Sequence, residues 1–77
     1  MADLASLLPE MARSVKGKHF WAWPAWSTGE TLGVALVVDD HLAMQAEGYT
    51  MLEAMDRLSG EVTVQQLLAI QREVRHG

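Results

Sequence analysis

The run STGETLGVALVVDDH, residues 27–41, is where helix and strand compete for the chain. Val34, Val37 and Val38 are β-branched, and an apolar run bounded by Gly33 and Asp39 has the length of a buried strand. Other observations outweigh that. Ser27 stands three residues before Glu30, the capping-box spacing in which the serine oxygen accepts from the Glu30 amide and the glutamate accepts from the Ser27 amide. Leu32, Ala35, Leu36, Leu42, Ala43 and Ala46 share one helical face, and a lone strand has nothing to pair with. We expect a helix over 28–46 with Gly48 just past its end.

Two more starts follow towards the C-terminus. In GYTMLE, Thr50 and Glu53 form a second capping box, with Leu52, Met55 and Leu58 expected to face inward and Glu53 placed to pair with Arg57 one turn on. Gly60 ends that helix. In VTVQQL, Thr63 and Gln66 form a third box, with Val62 and Leu67 spaced as a hydrophobic staple. Val64, Leu67, Leu68 and Val74 make its expected buried stripe, and Arg72, Arg75 and His76 lie at the end where the helix dipole favours cations.

Towards the N-terminus, Leu4, Leu7, Leu8, Met11, Ala12 and Val15 recur at helical spacing. A proline is tolerated in the first turn and not in a helix interior, so Pro9 argues for Ser6 as the cap, a helix over 7–16 and an end at Gly17. The expected fold is all-α: one domain over residues 1–77, a small bundle of about four short helices with one aromatic-rich loop between the first and second.

Composition fits this. The chain is 49% hydrophobic and 21% charged, a globular balance, yet its 77 residues give a poor surface-to-volume ratio. Some apolar side chains stay exposed unless a second chain covers them, so a homodimer is expected. With no cysteine, neither a disulfide nor a thiolate metal site can staple the fold. Asp3 and Glu10 precede the first base, unlike a secretory leader, and GVALVV is too short to cross a bilayer, so we expect a cytoplasmic protein without membrane contact. The net charge of −4 is unevenly spread. Residues 1–26 carry Asp3 and Glu10 against Arg13, Lys16 and Lys18, a balance of +1, while residues 27–77 carry eight acids against three arginines, −5. The basic segment can fold back on the acidic helices or meet an acidic partner.

That basic segment leads into KHFWAWPAW, which holds all three tryptophans. Lys18, His19, Phe20, Trp21, Trp23 and Trp26 are the candidate binding residues: aromatics supply area and bases supply orientation. We expect two tryptophans to pin the long connection and one to be left for a partner. The same residues resemble a platform on which bases stack while lysines meet phosphate, so nucleic acid is the alternative ligand. Gln65, Gln66 and Arg72 on the last helix offer a second nucleic-acid surface if the last two helices form a helix-turn-helix. Met44, Met51 and Met55 are candidates for an adaptable contact surface or for core filling.

Asp39, Asp40 and His41 are consecutive and point in different directions on a helix, so they do not close on one metal ion, and we expect a solvated stripe with no metal or cofactor. The chain has no glycine-rich phosphate loop, nucleophile elbow or HExxH, and we expect no enzyme. The segments WSTGETLGVALVV and GYTMLEAMDRL resemble small uncharacterised proteins of temperate phages and prophages. That resemblance implies a bacterial setting and an accessory role and brings no site residues. The expected function is a non-catalytic helical module that binds another protein.

Overall fold

Over residues 3–76, which the computed structural model describes, the contested run is helical. The fold is all-α: α1 Leu4–Val15, α2 Thr28–Val38, α3 His41–Ala46, α4 Met51–Leu58 and α5 Val64–His76, with a short 3₁₀ turn at Phe20–Ala22 between the first two. The described residues include no strand.

The apolar character of 32–38 has a direct cause. α2 packs against α1, α3, α4 and α5, so it is the central helix, and Leu32, Gly33, Val34, Ala35 and Val37 are buried around nearly its whole circumference. A helix enclosed on every side is apolar on every side, which is also how a buried strand reads. Leu8, Ala12 and Val15 from α1, Ala43 and Met44 from α3, Ala54 and Leu58 from α4 and Leu67, Ile70 and Val74 from α5 complete one core. Gly33 allows the closest approach in it. A Cβ there would lie 2.8 Å from Leu8 Cδ2, so α1 can sit this near α2 only because the side chain is missing.

All three capping boxes form. The Glu30 amide donates to Ser27 Oγ at 3.2 Å and the Ser27 amide to Glu30 Oε1 at 2.9 Å. The Thr50 and Glu53 pair closes at 3.0 and 3.2 Å, and the Thr63 and Gln66 pair at 2.8 and 3.1 Å.

Four expectations are corrected. The helix over 28–46 is two helices. Asp39 adopts the left-handed conformation, φ 58° and ψ 45°, and the Asp40 amide donates to Ala35 O at 2.8 Å, the Asp39 amide to Leu36 O at 3.3 Å. This is a Schellman closure with aspartate where glycine is usual, and Asp40 then caps α3 by accepting from the Ala43 amide at 3.1 Å. α1 begins before Pro9, because Asp3 Oδ1 accepts from the Ser6 amide at 2.9 Å and starts the helix three residues earlier than Ser6 would. The proline therefore lies inside it.

The Glu53–Arg57 pair is absent: Glu53 is committed to the Thr50 amide, and Arg57 lies over the Tyr49 ring at 5.7 Å. Last, Leu52, Val64 and Leu68 are exposed rather than buried, at 77%, 48% and 44%. α4 and α5 pack on α2 and hardly on each other, so these faces have no neighbour.

Candidate interaction site

The basic segment is divided between internal and outward uses. The Arg13 guanidinium reaches Glu73 at 3.2 Å, and the Lys16 ammonium donates to the Val74 carbonyl at 3.0 Å, where the end of α5 offers unpaired acceptors. Both contacts dock α1 on α5. Lys18, two residues on, makes no ion pair or side-chain hydrogen bond among the described residues and is exposed. The backbone turns at Gly17, φ +82°, which places Lys18 at the mouth of a surface cavity of about 550 Å³.

The aromatic run then splits by the geometry of its 3₁₀ turn. The Ala22 amide donates to His19 O at 2.9 Å and the Trp23 amide to Phe20 O at 3.0 Å, a three-residue repeat that eclipses Phe20 and Trp23 on one side. Phe20, Trp23 and Trp26 pack against the core and are half-buried, with the Trp23 and Trp26 rings 6.0 Å apart and the Trp23 indole N–H directed at Lys18 O, 3.4 Å away. Trp21 points the other way and is 69% exposed. Its plane is fixed by neighbours: the His19 ring stacks on it at 4.4 Å and 8°, and Phe20 meets it edge-on at 5.4 Å.

Of the six expected binding residues, Lys18, His19 and Trp21 thus form one outward corner, and Phe20, Trp23 and Trp26 are its footing. Phe20 does both, bracing Trp21 while packing inward. The cavity beside Lys18 is walled by Lys16, Asp39, His41, Leu42 and Arg75. Asp39, His41, Leu42 and Arg75 come from parts of the chain more than 20 and up to nearly 60 residues away, and no spacing in the sequence announces that they meet. The Asp39, Asp40 and His41 run is a joint between helices rather than a stripe along one. His41 Nε2 lies 3.1 Å from Asp39 Oδ1, Asp40 is spent on its cap, and no group of three metal-binding side chains converges among the described residues.

The other candidates are placed as follows. Gln65 and Gln66 are exposed, with Gln66 Oε1 committed to the Thr63 amide, and Arg72 is exposed on α5. The weak contact between α4 and α5 departs from the packed pair of a helix-turn-helix. Met44 is core, Met55 half-buried and Met51 exposed. No described helix is long and apolar enough to cross a membrane. The chain matches no family model, and no curated protein or solved structure is significantly similar to it.

Proposed function

We propose that this chain is a non-catalytic interaction module, a small cytoplasmic accessory protein of the kind its phage resemblance implies, that binds another protein through the corner formed by Lys18, His19 and Trp21. The observation that carries this reading is the state of Trp21. A large side chain that is 69% exposed yet already oriented by two ring contacts loses little freedom on binding. A preoriented indole is the usual anchor of a protein interface. Lys18, immediately before the His19 and Trp21 ring stack in sequence and without an ion pair among the described residues, suits an acidic partner surface with an apolar recess for the ring.

The stacking-platform alternative has less support. Successive bases need successive exposed rings, and Phe20, Trp23 and Trp26 are turned to the core. The test is affinity capture with the intact protein, compared with Trp21→Ala and Lys18→Glu at low and high salt. Under this proposal a protein partner is retained at high salt and lost with Trp21→Ala. Captured nucleic acid whose binding falls steeply with salt would transfer the site to the alternative ligand.

A further inference from the structure

Of the seven large apolar side chains that are strongly exposed among the described residues, Met51 of α4 and Val64 and Leu68 of α5 line one groove, and Leu52 follows Met51 on α4. Between the two helices runs a groove floored by Leu36, Met55 and Leu67. The cause is topological. α4 and α5 each bury one side on α2, their apolar stripes are wider than that contact needs, and no element among the described residues spans the gap.

We infer that this groove is covered by a second copy of the chain, in a two-fold symmetric dimer that sets α4 of each protomer along α5 of the other. Two features name that occupant. The chain carries both halves of a knob-and-groove contact, since Leu52, 77% exposed, stands on the outer shoulder of α4 one residue beyond groove-lining Met51. A patch that holds its own complement is what a two-fold interface requires, because each contact is made twice with the roles exchanged.

The charges agree. On α4 the residue one turn after Leu52 is Asp56, and on α5 the residue one turn after Leu68 is Arg72, so each apolar knob is followed on the same shoulder by a charge, of opposite sign on the two helices. Laying α4 parallel to the partner's α5 with Leu52 beside Leu68 pairs Asp56 with Arg72 twice, whereas α4 on α4 would set acid against acid. The dimer does not depend on the role given to Trp21.

The experiment is sedimentation equilibrium of the full chain over a range from about 1 to about 200 µM, since a dimer reports itself by mass action. Wild type should shift from monomer to dimer, Leu52→Asp and Leu68→Asp should each stay monomeric with unchanged helical circular dichroism, and Trp21→Ala should dimerise as wild type does. Asp56→Arg should weaken the dimer about tenfold, because two symmetry-related pairs are lost together, and adding Arg72→Asp on the same chain should restore it.

A chain monomeric throughout overturns the inference, and if it then binds a fluorescent apolar probe that Leu68→Asp abolishes, the groove belongs to a different partner. A dimer that survives Leu52→Asp or is lost with Trp21→Ala also overturns it, by placing the interface elsewhere.

Discussion

Gly33 is the position at which one methyl group should report on the packing of the entire molecule. A Cβ built there lies 2.8 Å from Leu8 Cδ2, 3.2 Å from Leu8 Cδ1 and 3.5 Å from Leu8 Cγ. Carbon contacts are comfortable at about 3.5–4.0 Å, so the methyl intrudes on two atoms at once. Leu8 is fully buried and cannot turn to solvent. Forcing it from its rotamer, or moving α1, costs about 1–3 kcal/mol. Against that, replacing a helix-interior glycine by alanine gains about 0.8–1.0 kcal/mol. The net expectation for Gly33→Ala is a loss of about 1 kcal/mol, or roughly 4–8 °C in Tm for a domain of this size.

Leu8→Ala alone should cost about 2–5 kcal/mol. In the double variant the new methyl enters the space that Leu8 vacates, so the clash vanishes and the propensity gain remains. It should be more stable than Leu8→Ala alone, with a coupling of about 2 kcal/mol between the sites, well beyond the ~0.5 kcal/mol scatter of independent ones. Urea unfolding followed by circular dichroism measures all four proteins. If Gly33→Ala stabilises by the full propensity gain, or the two changes add, α1 does not approach α2 as described.

The joint at Asp39 should tolerate asparagine and reject β-branching. Asp39→Asn is expected within about 0.5 kcal/mol of wild type and Asp39→Val to lose about 1–2 kcal/mol by denaturant titration, because φ 58° crowds a side-chain carbon. Two exposed carboxylates sit below the ordinary range. Glu53 is held there by the Thr50 amide and then the Thr50 hydroxyl, and Asp3 by Ser6, first through its side chain and then through its amide. A lowered carboxylate contributes stability above its unfolded pKa that is lost as pH falls through the folded one, so stability should drop below about pH 4. Glu53→Gln should flatten part of that slope in a Tm series, and an unchanged slope would remove Glu53 from the account. Single-tryptophan variants should separate by acrylamide quenching: Trp21 emits red-shifted and is readily quenched, while Trp23 and Trp26 are partly shielded.

Whatever was local in the sequence could be read there. A capping box needs residues three apart and nothing else, so Ser27, Thr50 and Thr63 marked three helix starts that the structure keeps. GVALVV is helical because its capping box and the lack of a pairing partner outweigh the β-branched valines. Competition between local signals was harder. Asp3 and Ser6 are both good caps, and Pro9 favoured the later one, yet α1 starts at the earlier. At Asp39 the helical period continues through Leu42, Ala43 and Ala46, and only the left-handed backbone of one non-glycine residue reveals the break. The exposed corner at Lys18, His19 and Trp21 is legible in part. That one tryptophan is spare follows from the length of the loop, but that it is Trp21 follows from the 3₁₀ turn, and the cavity beside Lys18 is assembled from distant segments.

The misplaced leucines make the last step of the argument. Periodicity reports that a helix has an apolar face and does not report what lies against it. Leu52, Val64 and Leu68 fall at positions that a core would use, and the single chain leaves them in water. Exposing so much of Leu52 forgoes a transfer free energy of up to about 2 kcal/mol, which a chain of this size can ill spare when its whole stability is about 0.05–0.15 kcal/mol per residue. A sequence that writes a core stripe on both sides of an empty groove is consistent with a core completed by association. On that view the same pattern governs both surfaces. Under the two proposals Trp21 serves a different protein, whereas Leu52 and Leu68, with their complement on the same chain, serve to join two copies.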